Sequence, residues 1–170
     1  MIKTIFLDID GVLNNADTIR EHKRRSIEGE ERGREFCEYS VNALNEIIKQ
    51  TDAKIVISSS WRWVHETHYL RELFKKEGII GEIIDATPKW TYYDTGNVKG
   101  HKYNYRGEEI QAWLDKNPVD GFVIIDDTTE MCHLINKLVK TRFSIGLTEE
   151  HIKPAVDQLN GTNGSVTVPE

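Results

Sequence analysis

The sequence predicts an α/β fold built on a doubly wound parallel sheet. Short runs made only of apolar residues recur along the chain, and they do not alternate with polar residues. Such runs are typical of strands buried on both faces of a sheet. Segments in which apolar residues recur every three or four positions lie between these runs, as in amphipathic helices. The alternation of strand and helix predicts parallel strands with helices on both faces.

The elements follow one another at spacings that suit one sheet. The five predicted strands are at residues 5–7, 55–57, 83–84, 122–125 and 143–145. The four predicted helices include residues 41–48, 70–74, 110–114 and 131–139. A length of 170 residues suits one domain, so we predict a single domain over residues 1–160 and a flexible tail at 161–170.

Charge and hydropathy narrow the class of protein. The net charge of −6 argues against a chain that coats nucleic acid through its overall charge. The first residues carry acids where a secretory signal would be apolar, and no apolar run approaches the ~18 residues that span a bilayer. We therefore expect a cytoplasmic protein that does not enter the membrane. The oligomeric state is left open.

The strongest chemical signal follows the first predicted strand. Asp8 and Asp10 are separated by one residue and followed by Gly11. Residues i and i+2 of an extended segment point the same way, so both carboxylates can converge at the carboxyl end of the strand. Open α/β sheets bind their ligands at that end.

A second acid pair, Asp126 and Asp127, ends the fourth predicted strand. If the two strands are neighbours, the four carboxylates form one cluster of hard oxygen ligands, which suits Mg²⁺. The alternative is that each pair only caps a following helix, as Asp127 and Thr128 would for the helix predicted at 131–139.

Two further groups suit a phosphate. Ser58 and Ser59 follow the second strand, where hydroxyls and backbone N–H groups can hold phosphate oxygens or merely cap a helix. Arg106 begins the helix before the fourth strand, and its guanidinium would neutralise a phosphoryl oxygen. Lys99 and Lys102 are alternatives for this cation.

In this order, the four elements resemble the motifs of the haloacid-dehalogenase superfamily of phosphohydrolases, over about residues 3–146. The runs at 10–14, 58–62 and 106–110 are similar, more narrowly, to the phosphatase domains of RNA-repair proteins. The resemblance implies a Rossmann-like sheet and a phosphatase. Asp8 would be the nucleophile that forms an aspartyl-phosphate, and Asp10 the general acid and base. Mg²⁺ would be held by the Asp8 carboxylate, the Asp10 backbone carbonyl and Asp126, with Asp127 acting through water or by orienting a cation. The phosphate would be held by Ser58 or Ser59 and Arg106.

Two stretches bear on the substrate. Residues 14–37 are crowded with charges of both signs and form either a flap over the site or a solvated segment. Residues 88–106 interleave aromatics with cations, a mixture that suits single-stranded nucleic acid, although the aromatics can equally pin the loop to the core. Neither gap between the motifs is long enough for a substantial cap domain. Three functions stay open: a phosphatase for nucleic-acid ends or nucleotides, a phosphatase for another small ester, and an inactive binding module.

Overall fold

A computed structural model describes residues 2–31, 33–89 and 106–162 of the chain. Five parallel strands form one sheet in the order β3-β2-β1-β4-β5. This is the predicted α/β class, with the first strand at the centre. The strands are β1 (Lys3–Leu7), β2 (Lys54–Ile57), β3 (Ile83–Ala86), β4 (Gly121–Asp126) and β5 (Leu138–Lys140).

Helices pack on both faces of the sheet, because the strands present apolar side chains on both. Alternate residues of β1 belong to different cores: Ile5 and Leu7 lie on one face and Phe6 on the other. The α-helices are α1 (Ala16–Glu28), α2 (Glu38–Thr51), α3 (Trp61–Val64), α4 (Thr67–Lys76), α5 (Arg106–Leu114) and α6 (Ile152–Leu159). The Ile5 face is covered by α2, α4 and α6, and the Phe6 face by α5 and a 3₁₀ helix at Cys132–Lys137.

The fifth strand lies earlier in the chain than the sequence predicts. Residues 143–145 form no strand; Phe143 and Ile145 are 47% and 41% exposed. Strand β5 is instead Leu138–Lys140, and its Val139 is buried and paired with Ile125. Two short runs, at 138–139 and 143–145, could form the edge strand. The first directly follows the 3₁₀ helix that packs on the Phe6 face, and it forms the strand.

The helix predicted over 131–139 is also wrong in its second half. Residues 132–137 form only the 3₁₀ helix, and Leu138 and Val139 belong to β5. Met131 and Leu134 are buried against the Phe6 face, as the apolar period required. Leu138 and Val139 fit the helical spacing of apolar residues, but they pack against the two cores from a strand instead.

The charged stretch after the first motif contains a helix, α1, for which no apolar period exists. No residue of α1 is buried. Its support comes from its ends and its surface: Asn15 caps the first turn, and exposed ion pairs such as Arg25–Glu21, at 2.8 Å, join successive turns. A helix that buries no apolar face cannot be predicted from the spacing of apolar residues.

None of the helices in the described ranges has the length and apolar character needed to cross a membrane. Residues 163–170 of the predicted tail lie outside the described residues. The predicted extent of the domain, residues 1–160, therefore stays a prediction.

We expect Asn15→Ala to lower the free energy of unfolding by about 1–2 kcal/mol, measured by urea denaturation. The Asn15 Oδ1 accepts hydrogen bonds from the backbone N–H groups of Asp17 and Thr18, at 3.1 and 3.0 Å. Its Nδ2 donates to the carbonyl of Ile145 at 2.9 Å, which ties α1 to the rest of the fold. The control is Arg20→Ala, which removes an exposed ion pair and should cost close to nothing. Equal losses in the two variants would contradict this account.

Candidate active site

The strand register brings three of the predicted site residues to one face and one level of the sheet. Phe6 pairs with Val56 on one side and with Ile124 on the other. The ladder continues past the strand end, because the Asp8 N–H donates to Ile125 O and the Ser58 N–H to Leu7 O, each at 3.0 Å. Two residues beyond each member of the Phe6 row lie the following: Asp8, Ser58 and Asp126. Residues i and i+2 share a face, so all three follow the face on which α5 packs.

Helix α5 delivers Arg106 to this cluster. Its Nη1 lies 2.6 Å from Asp8 Oδ2 and also donates to Asp126 Oδ2. The first turn of α5 approaches the chain after β4 so closely that a Cβ on Gly107 would lie 2.2 Å from the Met131 carbonyl oxygen. Gly107 N–H donates to Glu130 O at 3.0 Å, which fixes this contact. A glycine after Arg106 therefore permits the approach that pairs the guanidinium with both acids.

Both oxygens of the Asp8 and Asp126 carboxylates already accept hydrogen bonds. Asp8 Oδ1 accepts from the Ile9 N–H at 2.8 Å, leaving Oδ2 to Arg106. Asp126 Oδ1 accepts from the N–H and the hydroxyl of Thr128, at 2.8 and 2.9 Å. These two bonds close a local turn from Asp126 to Thr128. The 3₁₀ helix that follows begins after Met131 and has no side-chain cap. The alternative in which Asp127 and Thr128 cap a helix is therefore wrong.

The acid cluster fits a divalent cation. One carboxylate oxygen from each of Asp8, Asp126 and Asp127 lies within 4.8 Å of the others. Burial first, and then the charge of Asp8, raise the pKa of Asp126 to about 6 against the opposing effect of Arg106. Burial and Asp8 also raise the pKa of Asp127. Three carboxylates facing one guanidinium carry a net charge of −2 when ionised, and their hard oxygens match Mg²⁺.

Gly11 makes room for the Asp127 side chain. Its φ of 76° lies in the left-handed region, and a Cβ there would meet the Asp127 carboxylate at 2.6 Å. The Gly11 carbonyl accepts a hydrogen bond from the buried Thr141 hydroxyl at 2.6 Å, and the Thr141 N–H donates to Asp126 O at 2.9 Å. The turn after Asp10 is thus fixed directly against the end of β4.

Asp10 is held by two side-chain donors that the sequence analysis did not single out as site residues. Asn14 Nδ2 donates to Asp10 Oδ1 at 2.8 Å, and Trp61 Nε1 donates to Oδ2 at 3.0 Å. Each oxygen keeps a further lone pair for a proton or a ligand. Both donors stand within runs that carry the family resemblance, at 10–14 and 58–62, which is the signal that would have found them.

The structure distinguishes the two candidate serines. Both are fully buried. Ser59 Oγ accepts a hydrogen bond from the Trp61 N–H at 3.3 Å, as a residue at the start of a helix does. Ser58 Oγ, in the Asp8 row, makes no hydrogen bond within the described ranges, nor does the buried hydroxyl of Thr87 after β3. Of the two serine hydroxyls, only that of Ser58 lacks any hydrogen bond within the described ranges.

Arg62 is a buried cation that organises the loop after β2. Its Nη1 donates to the carbonyls of Ser58 and Ser59, at 2.8 and 2.7 Å, and its Nε to that of Thr87 at 3.2 Å. Its Nη2 pairs with Glu109 of α5. Burial lowers the pKa of Arg62, and Glu109 opposes that shift. Arg62 thus joins the serine loop, the exit of β3 and the helix that carries Arg106.

The remaining predictions about the site concern residues 88–106, which connect β3 to α5. Lys99 and Lys102, the alternatives to Arg106, lie outside the described residues, as do all the aromatics of 88–106. The proposed contact of that loop with nucleic acid is therefore an open prediction.

Comparison with known protein families gives one match for most of the chain. The sequence model described as the HAD domain in Swiss Army Knife RNA repair proteins matches residues 4–152. The comparisons with curated proteins and with solved structures find no match. The matched region includes every residue of the acid cluster, both serines and Arg106.

We expect Arg62→Met to lower the free energy of unfolding by about 3–5 kcal/mol, because it leaves the Glu109 carboxylate buried beside carbonyl groups that have lost their donor. Urea denaturation by circular dichroism measures the loss. The double variant Arg62→Met with Glu109→Leu removes both charges and should recover part of it. A loss below about 1 kcal/mol in the single variant would show that Arg62 does not organise the loop.

Proposed function

The chain belongs to the family of HAD domains in Swiss Army Knife RNA repair proteins, and on that premise we propose that it is a magnesium-dependent phosphomonoester hydrolase. We propose that it removes terminal phosphates from nucleic-acid ends or nucleotides. The observation that carries the proposal is the meeting of the Asp8 and Asp126 carboxylates with Arg106 at the carboxyl end of the central strands. A nucleophile, a cation and metal-type ligands converge there, which is the combination that phosphoryl transfer needs.

The first half of the proposed reaction uses Asp8 and Asp10. An oxygen of Asp8 bonds to phosphorus while the bond from phosphorus to the leaving oxygen breaks, giving an aspartyl-phosphate. Protonated Asp10 passes its proton to the leaving oxygen, so an alcohol departs. Arg106 and the Ile9 N–H hold the Asp8 carboxylate in one orientation during the attack.

The second half returns the enzyme to its starting state. Asp10 takes a proton from water as the water oxygen bonds to phosphorus. The bond from phosphorus to Asp8 then breaks, releasing inorganic phosphate. By family resemblance, Ser58 or Ser59 and the Arg106 guanidinium would bind phosphoryl oxygens, where charge spreads in the transition state.

Asp8, Asp126 and Asp127 would hold Mg²⁺, as their shared oxygen cluster fits the ion. When bound, the ion supplies positive charge that offsets repulsion between the Asp8 carboxylate and the anionic phosphoryl group. The backbone carbonyl of Asp10 is a further candidate ligand by family resemblance. The acids of this cluster need such a cation, because Arg106 neutralises only one of the three charges.

The proposed substrate class rests on the family description, which names RNA repair proteins. A screen for phosphate release with Mg²⁺ tests it, using oligonucleotides phosphorylated at the 3′ or 5′ end and an aryl phosphate. Turnover of the aryl phosphate alone would favour a small ester as substrate. No turnover of any substrate, with binding retained, would favour a binding module.

We expect Asp8→Asn to reduce phosphatase activity by about a thousandfold or more while the fold survives, since the amide keeps the shape but removes the attacking anion. Asp10→Asn should also cripple turnover by removing the proton carrier. Steady-state phosphate release measures both. The matched control is Asp52→Asn, at a side chain that is 95% exposed, and it should retain full activity. Substantial turnover by a folded Asp8→Asn protein would exclude Asp8 as the nucleophile.

We expect Mg²⁺ to raise the melting temperature. At a hundredfold excess over its Kd, the ion should raise the free energy of unfolding by about 3 kcal/mol. Chelator should abolish activity, and Mg²⁺ should restore it.

Asp126→Asn should weaken Mg²⁺ binding in calorimetry more than Asp127→Asn, because the fully buried Asp126 interacts with a cation through less intervening water. Activity in excess chelator would remove the metal from the proposal, and the reverse order of the two variants would reverse the ligand assignment.

A further inference from the structure

Helix α1 has one face that lines a cavity and is not part of the core. Ile19, His22, Lys23 and Ser26 follow one another at spacings of three and four residues, so they lie along one side of the helix. All four line a cavity of about 580 Å³, and none of them is buried. This volume is within the range of sites that bind small molecules. A helix that adds nothing to the core therefore forms an accessible wall of a cavity.

The charges of α1 differ between this face and the rest of the helix. Each of the three arginines of α1 forms an ion pair with an acid of the same helix. The pairs are Arg20 with Asp17, and both Arg24 and Arg25 with Glu21. Lys23, on the cavity face, has neither an ion pair nor a hydrogen bond within the described ranges. Its ammonium group is therefore available to a ligand in the cavity.

The cavity reaches the proposed reaction centre through Trp61. Trp61 and Asp10 both line it, and Trp61 Nε1 donates a hydrogen bond to Asp10 Oδ2 at 3.0 Å. The indole N–H can only donate, and a carboxyl group keeps acceptor lone pairs whether it is charged or protonated, so this contact suits both forms of Asp10. In the proposed reaction Asp10 contacts the leaving oxygen. The cavity therefore lies on the side of the leaving group.

The acids of the lining disfavour an anionic leaving group. Asp10, Glu30 and Glu35 line the cavity together with Lys23. Arg24 offsets the charge of Glu30, with its Nη2 at 3.1 Å, but the carboxylates still outnumber the one lysine. A second phosphate placed here would be repelled, because like charges at short range raise the free energy of binding. The group that occupies the cavity is therefore uncharged.

The other lining residues suit a flat group with a polar edge. Trp61 of α3, which is partly exposed, and Ile19 of α1 offer apolar surface. Lys23 and Ser26 offer polar groups on the same wall. A nucleobase combines an uncharged aromatic face with hydrogen-bonding edges, and bases stack on aromatic side chains.

We propose that this cavity binds the base of the nucleoside that carries the scissile phosphate, and that Ile19 and Lys23 contact that base. This inference rests on the proposed function, because that function places the leaving oxygen at Asp10. The wall is held in position by the protein itself: His22 Nε2 donates to the Arg34 carbonyl at 2.8 Å. The charged stretch after the first motif is thus part of the substrate site.

The test compares kcat/KM, with Mg²⁺ present, for two pairs of substrates that differ in the base. One pair is adenosine 5′-monophosphate and ribose 5-phosphate. The other is an oligonucleotide whose 3′-phosphorylated terminal residue either carries a base or is abasic. We expect the base to raise kcat/KM by about tenfold in at least one pair, mainly through a lower KM. An aryl phosphate assayed in parallel reports the phosphatase activity itself.

The variants compare the cavity face of α1 with the rest of the same helix. Ile19→Ala should raise KM about threefold for substrates with a base and leave the abasic substrates unchanged. Alanine favours a helix, so the fold should survive. Ile27→Ala is the matched control, because Ile27 is 77% exposed and does not line the cavity; it should change nothing. Lys23→Met should also reduce the advantage of the base, whereas Arg20→Met should not.

Two results would overturn the inference. One is equal kcat/KM within both pairs for the wild-type protein. The other is a failure of both Ile19→Ala and Lys23→Met to reduce the advantage that the base gives. In either case hydrolysis of the aryl phosphate by the wild type shows that the protein is still a phosphatase. No turnover of any of the five substrates would instead remove the proposed function, and this inference with it.

Discussion

The constraint on which the site depends is the repulsion between carboxylates that a parallel sheet gathers at one end. Adjacent strands in register must bring Asp8 and Asp126 together, since the residues two positions earlier, Phe6 and Ile124, are paired. Arg106 bridges the two acids from α5 and lowers that repulsion without cancelling it. The fold is thereby left with excess negative charge in a buried place, an arrangement that suits a divalent cation.

The backbone around the cluster is arranged to allow these close approaches. Gly11 and Gly107 lie where a Cβ would collide with Asp127 or with the Met131 carbonyl. Thr141, just past β5, donates one hydrogen bond from its hydroxyl to the Gly11 carbonyl and another from its N–H to the Asp126 carbonyl. Edge strand β5 therefore contributes to the site although it carries none of its acids, because its exit holds two of the motifs together.

The parts of this molecule that could be predicted from the sequence are those with a repeating physical signal. Buried strands, amphipathic helices and paired acids all carry such a signal, and α2, α4, α5 and the strands β1 to β4 were found. The signal fails where two arrangements bury the same residues, as at Val139, or where nothing is buried, as in α1. Within the site, Asn14 and Trp61 carry no repeating signal of their own; they stand in the runs at 10–14 and 58–62 that carry the family resemblance, and the folded chain brings both to Asp10.

The buried polar side chains beneath this site differ in how many hydrogen bonds they make. Arg62 donates to four backbone carbonyls and pairs with Glu109, so all five of its N–H donors are used and none is left for a substrate. Ser58 Oγ and Asn14 Oδ1 are as deeply buried, yet neither has a partner within the described chain. Ser58 lies in the row of Asp8, and the Nδ2 of Asn14 donates to Asp10. The two unpaired atoms have almost no accessible surface, so both side chains belong to the packed interior that holds Asp8 and Asp10 in place.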